Sequence, residues 1–327
     1  MNNSFGHNIR LTIWGASHAE KLGVDIEGVP QGISLTEMDF LPDLERRRSG
    51  KLGTTPRHEK DLPFVSEGVD SSITTGGKIR IEFRNENVRS GDYSLFENQP
   101  RPSHVDLVAR RKYGPDFDLR GSGIFSGRMT LGLVAAGVVA KKLLRGITFR
   151  TSITEIAGQK DESRFEELIR DAAFRGDSLG AVIECRAEGV PCSLGEPYFD
   201  SAESVISHLL FSIPGIKGVE FGSGFEGVRL PGSKRNDPII DAHGHTLTNN
   251  EGGINGGITN GNPLVVRVAV KPAASISIEQ NTFSFSSSKM ETLRIPGRHD
   301  SLIALRAMVV VEAMIAFALA DLSLYDR

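Results

Sequence analysis

Two stretches of this chain are apolar around almost their whole circumference when wound as helices, and they constrain the fold more than any other feature. The run 129–140 carries no charge until Lys141 and Lys142 stop it, and the run 307–320 is interrupted only by Glu312. A helix that is apolar on every face has to be covered on every face. Neither run reaches the roughly 18 to 20 residues that a membrane span needs. They read as two helices, over 131–144 and 302–324, buried at the centre of a core. Sheets packed over both sides of a helical centre give them that cover.

The rest of the pattern suits such an arrangement. Helical spacing recurs over 163–174, 201–211 and 105–112. Residues 36–48 form a further candidate, with Thr36 as its cap, acids in its first turn and Arg46, Arg47 and Arg48 in its last. Pro42 inside that segment is expected to kink or shorten it. Alternation marks strands at 23–27, 64–69, 78–83, 181–187, 218–221 and 264–270. Helices and strands follow one another without a regular βαβ beat, so the predicted class is α+β. No linker, low-complexity tract or repeat divides the 327 residues, and a single domain spanning 1–327 is expected.

Composition narrows the function. A net charge of −3 argues against a protein dominated by nucleic acid or a membrane surface, while leaving room for a local basic site. Cys185 and Cys192 are too few for a disulfide framework or a Cys-rich zinc site. With no secretory pattern after Met1, they read as reduced thiols in a cytoplasmic protein.

The residues that can carry chemistry fall into two groups. Glycines cluster at Gly121-Ser122-Gly123 and across 252–261, where they can bring backbone close to a flat ring or form an anion nest. Plain turns are the alternative, and neither stretch has the context of a phosphate-binding or dinucleotide loop. Arginines stand beside histidines at Arg101-Pro102-Ser103-His104 and Gly297-Arg298-His299-Asp300, and Arg46–Arg48 make a third basic group. Arginine grips phosphate and carboxylate, and histidine moves protons near neutral pH. The alternative for Arg46–Arg48 is a solvated helix end. His18 follows Gly15 and Ser17 on a loop, where a structural histidine is the competing reading. His243 and His245 have a metal spacing but no third ligand nearby. Together these features suggest a compact anionic ligand, acid–base histidines and a flat cofactor, without fixing a reaction.

Taken in order, the motifs resemble the chorismate synthase family over nearly the whole chain. Gly15-Ala16-Ser17-His18-Ala19 is similar to the family's opening Gly-Glu-Ser-His-Gly element, and Arg46-Arg47-Arg48-Ser49-Gly50 to its arginine element. Thr55, Arg57, Glu59 and Asp61 follow, then Asn85 with Arg89, Asp92 and Tyr93, then the signature from Arg101 to Asp106. Gly252-Gly253 with Gly256-Gly257, Lys271-Pro272, Gly297-Arg298-His299-Asp300 and Glu312-Ala313-Met314 complete the series.

The resemblance implies a β-α-β sandwich with a helical core, usually assembled as a homotetramer. It implies an anti-1,4 elimination of phosphate from 5-enolpyruvylshikimate 3-phosphate, giving chorismate, with reduced FMN required and NADPH as one source of reduction. On the same basis Arg47, Arg101, Arg128 and Arg298 form the cradle for a small anionic substrate. His18 protonates the departing phosphate, His104 serves the reduced flavin, and Asp300 assists hydrogen removal. Flavin contacts fall to Ser126, Pro214, Gly215, Gly256, Lys271, Pro272, Ala273, Ala274, Ser275 and Arg298. No metal, nucleic acid or membrane is implied.

The sequence departs from the family at Ala16, Ala19 and Ala273, and most at one element. Arg120-Gly121-Ser122-Gly123-Ile124-Phe125-Ser126-Gly127-Arg128-Met129-Thr130 stands where the family has Arg-Gly-Gly-Gly-Arg-x-Ser-Ala-Arg-Glu-Thr. An arginine is replaced by Ile124, a small residue by Phe125 and a glutamate by Met129. A further arginine expected near Gly53 is absent. The expectation is an active, divergent enzyme; the alternative is a paralog that holds flavin or an anion without this turnover.

Overall fold

The computed structural model describes residues 2–55, 59–86, 95–297 and 299–324. Two antiparallel sheets enclose a layer of helices. The first contains β1 (Ser4–Phe5), β2 (Arg10–Gly15), β3 (Lys21–Glu27), β4 (Phe64–Glu67) and β5 (Ile79–Arg84), in the order β1-β2-β3-β5-β4. The second contains β6 (Thr148–Ile156), β7 (Ala181–Glu188), β8 (Ile216–Phe221) and β9 (Leu264–Val270), in the order β8-β9-β7-β6. Alternation does the work the sequence implied. Ala181, Ile183, Cys185 and Ala187 of β7 and Leu264, Val266, Val268 and Val270 of β9 are buried, with more accessible residues between them.

The main helices are α1 (Glu37–Arg47), α2 (Asp106–Tyr113), α3 (Thr130–Leu143), α4 (Phe165–Arg175), α5 (Ala202–Ser212) and α6 (Ala304–Leu322). The two apolar segments are α3 and α6. Helix α3 packs on β2, β3 and β5, α6 packs on β6 and β7, and the two pack on each other. Burial is continuous from Thr130 to Ala140 and from Val309 to Leu322. Each large aliphatic side chain so buried contributes about 1.5–3 kcal/mol. The helices meet backbone to side chain at Gly137, where a Cβ would lie 2.3 Å from that of Ala313. The central helices covered by antiparallel sheets are therefore as expected.

Some local expectations need correcting. Helix α1 continues through Pro42 for 11 residues. The bond that Pro42 forgoes is to the carbonyl of Met38, an exposed residue in the first turn that water can serve. Thr36 and Asp39 cap that turn, with the Thr36 N–H donating to Asp39 Oδ2 at 2.7 Å. The strand expected over 64–69 breaks at Gly68, whose φ is +84°. Strand β6 and the hairpin of Gln280–Ser284 with Lys289–Leu293 have no counterpart among the predicted strands. In β6 a register shift between Ile153 and Glu155 disturbs the alternation.

Two buried carboxylates lock the layers. Asp321 accepts the N–H groups of His7, Asn8 and Ile9 at 3.0, 2.7 and 2.9 Å, fastening the end of α6 to the start of β2. Glu312 accepts from Arg46 at 2.8 and 2.7 Å, from Lys141 at 2.6 Å and from Thr151 Oγ1 at 2.8 Å. That cluster joins α1, α3, β6 and α6. Burial raises the Glu312 pKa, but Arg46 and Lys141 outweigh it and hold the carboxyl at about 2.

Candidate active site

Both apolar helices begin at one cavity of about 1310 Å³. Gly127, Arg128 and Thr130 line it from the start of α3, and Asp300, Ile303, Arg306 and Ala307 from the start of α6. Two helix starts bring the positive ends of their dipoles to this cavity, which favours an anion there, although N–H groups of both first turns are already bonded to preceding backbone or to Ser126.

Arg47, the last residue of α1, reaches the junction of the two helix starts and is 1% exposed. Its Nε donates to Thr130 Oγ1 at 2.9 Å and its Nη2 to the Gly127 carbonyl at 2.8 Å. Its Nη1 has no hydrogen-bond partner among the described residues, and an Asp61 oxygen stands 3.5 Å away. Burial first, and then the charges of Arg306 and Arg128, lower the Arg47 pKa to about 9. The guanidinium stays charged at neutral pH but is short of counter-charge.

Arg306 donates to Asp300 Oδ2 at 3.1 Å and to the Arg47 carbonyl at 3.2 Å. The other Asp300 oxygen accepts the Thr55 N–H at 2.6 Å, so this carboxylate is held at both ends. The sequence reading missed Arg306. Its signal was available: it is the one basic residue within α6, in the first turn of an otherwise apolar helix.

Arg128 and Arg101 sit differently. Arg128 contacts Asp61 Oδ1 at 2.8 Å, Glu59 Oε2 at 3.3 Å, the Arg84 carbonyl at 3.2 Å and Asn85 Oδ1. Arg101 grips Asp106 through Nε and Nη2, both at 2.8 Å, donates from Nη1 to Ser275 Oγ at 3.1 Å and stacks on Phe96. Both line the cavity, with carboxylates of the protein already on them.

Asp106 also orders His104. Its Oδ1 lies 2.7 Å from His104 Nδ1, and His104 Nε2 lies 3.1 Å from Ser122 Oγ. Burial works against the Asp106 charge, yet the hydrogen bonds from Arg101 and His104 keep its carboxyl well below the usual range. An ionised Asp106 only accepts, so Nδ1 carries a proton and Nε2 is the nitrogen turned toward Ser122. His18 stands across the same turn. Its loop is held by the Ser17 N–H on the Gly123 carbonyl at 3.2 Å and by Asn85 Nδ2 on the carbonyls of Ala16 and Ala19 at 3.1 and 2.6 Å.

Of the expected residues, His18, Arg47, Arg101, His104, Ser126, Arg128, Pro214, Gly215, Lys271, Ala273, Ala274, Ser275 and Asp300 line the cavity. Pro272 is not among its lining residues. Nor is Gly256, which turns between the short strands Ile254–Asn255 and Ile258–Thr259. Arg298, Arg57 and the motif residues in 89–94 lie outside the described residues. Lys217 is an addition on the Lys271 side: burial first, and then the Lys217 charge, lower the Lys271 pKa, while Lys271 Nζ donates to the Ser103 carbonyl at 2.8 Å.

Of the departures from the family pattern within 124–129 and near Gly53, two are built into this wall and two lie behind it. Ile124 and Phe125 line the cavity, and Phe125 belongs to an aromatic group with Tyr113 and Phe117, at centroid separations of 6.2 and 6.3 Å. Met129 joins the core. Gly53 is tucked between α4 and α6, where a Cβ would lie 2.7 Å from Ile169 Cγ2 and 3.1 Å from Leu305 Cδ1.

The cavity suits a flat cofactor together with a second ligand. Single-ligand pockets run to roughly 300–1,000 Å³, and this one is larger. Ile124, Phe125, Ile213, Pro214, Ala273 and Ala274 supply apolar wall for a ring system, and the Arg47 end supplies cationic groups.

A family model described as chorismate synthase matches residues 9–324. A chorismate synthase of Chitinophaga pinensis is 53% identical over 326 residues, covering 99% of this chain and 97% of that protein. One of Dehalococcoides mccartyi is 41% identical over 353 residues, covering 99% and 97% respectively. A solved structure, titled as the crystal structure of chorismate synthase, superposes with a TM-score of 0.76 at 29% identity, covering 98% of this chain and 93% of that one.

Proposed function

The chain belongs to the chorismate synthase family, and from that premise we infer that it catalyses the anti-1,4 elimination of phosphate from 5-enolpyruvylshikimate 3-phosphate to give chorismate. It is thus a carbon–oxygen lyase of aromatic amino-acid biosynthesis. The observation that carries this reading is Arg47: a buried cation, one of whose N–H groups has no hydrogen-bond partner among the described residues, at the meeting point of two helix starts. A dianionic phosphate or a carboxylate answers that demand.

Reduced FMN belongs to the proposal. When bound, it supplies electron density that promotes loss of the phosphate. Ser126, Pro214, Gly215, Lys271, Ala273, Ala274 and Ser275 are the residues that would hold it, beside His104. Arg47 and Arg306 would take the anionic groups of the substrate, with Arg128 backing Arg47 through Asp61 and Arg101 holding Asp106 against His104. His18 would protonate the leaving phosphate, and Asp300, held by Thr55 and Arg306, would take the proton at the other end. NADPH as the source of reduction, a cytoplasmic location and a homotetramer complete the reading, which calls for neither nucleic acid nor membrane. Two free thiols are in keeping with that location, and exposed Phe225, Val228, Ile239, Ile240 and Leu247 with an oligomer.

The test is an anaerobic assay of purified protein with chemically reduced FMN and 5-enolpyruvylshikimate 3-phosphate. Chorismate and phosphate should form together, and neither should form with oxidised FMN. Reduced FMN that binds without product would overturn the reading in favour of a repurposed paralog.

A further inference from the structure

The two candidate histidines are spaced by a single turn, and that turn is strained. Gly121, Ser122 and Gly123 all have positive φ, of 57, 70 and 54°. Glycine adopts such angles freely, but a serine between two glycines does so at a cost. Backbone strain of this kind persists where surrounding contacts over-determine it. Here the contacts are visible. The Ser122 N–H donates to the Leu119 carbonyl at 2.9 Å, and its hydroxyl lies 3.1 Å from His104 Nε2. One residue earlier, a Cβ on Gly121 would lie 2.7 Å from His18 Nε2 and 2.8 Å from Ser17 Oγ. Gly121 thus gives His18 its room, and Ser122 meets His104.

We propose that Ser122 is a positioning residue for His104, and that the turn 121–122 sets the two histidines against each other across the cavity. With Asp106 on Nδ1 and Ser122 on Nε2, the imidazole is gripped at both nitrogens, and its plane is fixed at the cavity wall. Glycine at this position, as in the family pattern that the sequence resembles, would offer no such grip. This positioning role rests on the reading of the cavity given above, and it predicts which parameter moves. A residue that orients an acid–base group acts on turnover; one that merely shapes the pocket acts on binding.

The experiment uses Ser122→Gly and Ser122→Ala in the full chain. Ser122→Gly removes the strain together with the hydroxyl, so it should fold at least as well as the parent and melt higher. Ser122→Ala removes only the hydroxyl. In the assay with reduced FMN, both should lower kcat about tenfold, with KM for 5-enolpyruvylshikimate 3-phosphate unchanged. A second readout needs no turnover. Measured at a pH where the imidazole is neutral, the ¹⁵N resonance of His104 Nε2 should move downfield in both variants, as it does when a hydrogen-bond donor is lost. Wild-type kcat in Ser122→Gly overturns the proposal. So does an unmoved His104 resonance, even where the parent itself makes no chorismate, an outcome that would separately defeat the proposed function.

Discussion

Arg46 and Arg47 are neighbours at the end of one helix, yet they enter opposite environments. Arg46 joins Glu312, Lys141 and Asp43 in a cluster where each charge meets its opposite at hydrogen-bond distance. Arg47 enters a region where Arg306 and Arg128 stand close, Asp61 is 3.5 Å away and Nη1 has no hydrogen-bond partner among the described residues. The first cluster is closed and joins the layers of the fold. The second lies at the cavity wall, and among the described residues its charges are not matched one for one. A run of three arginines therefore says little until each is matched with its acids: complete pairing marks structure, and incomplete pairing in a buried place marks a ligand site.

The largest effect should come from breaking the closed cluster. Glu312→Gln leaves Arg46 and Lys141 facing a neutral amide, and should destabilise the fold by about 3–5 kcal/mol. Turnover per folded molecule should stay within about twofold of the parent, because Glu312 does not line the cavity. Urea melts and the anaerobic assay separate the two. A large loss of turnover in the folded variant would merge the clusters that the comparison keeps apart.

Acid should act on the same cluster nearly as strongly. The Glu312 pKa is lowered from 4.5 to about 2, so the unfolded chain takes up this proton first as pH falls. The stability it contributes is whole above about pH 5 and is lost between there and about pH 2, some 3 kcal/mol in all. Asp106, also lowered, adds to the fall in the same direction. Unfolding free energy measured from pH 7 to pH 3 should drop more steeply in the parent than in Glu312→Gln. Equal slopes would remove Glu312 as the cause.

The smallest effect sharpens the open side. Ile124→Arg returns a cation to the wall at the position where the family pattern has one. It should tighten FMN binding by up to about tenfold, in line with one charge-assisted hydrogen bond. An unchanged affinity, read by fluorescence titration, would mean that the flavin lies elsewhere along the wall.

The central helices were legible because an all-round apolar helix has few places to go, and their boundaries came within a few residues. Most candidate site residues line one cavity, and the ordered motifs of the sequence had grouped them. Pairing was not legible. Nothing in the sequence says that Arg101 and Arg128 are already held by Asp106, Glu59 and Asp61 while Arg47 is left short, since those partners come together only by folding. Pro42 misled for a related reason: its effect depends on whether the forgone carbonyl is exposed. Strand β6 escaped because its register shift blurs the alternation on which strand reading depends.

The most direct test of the open site is the binding of 5-enolpyruvylshikimate 3-phosphate to Arg47→Lys, measured by calorimetry against the parent and Glu312→Gln. Lysine keeps the charge and removes the fork that spans Thr130, Gly127 and the cavity. The account predicts about hundredfold weaker binding in Arg47→Lys and parental affinity in folded Glu312→Gln. Equal affinity in Arg47→Lys and the parent would contradict it, because the unmatched cation would then hold no part of the substrate.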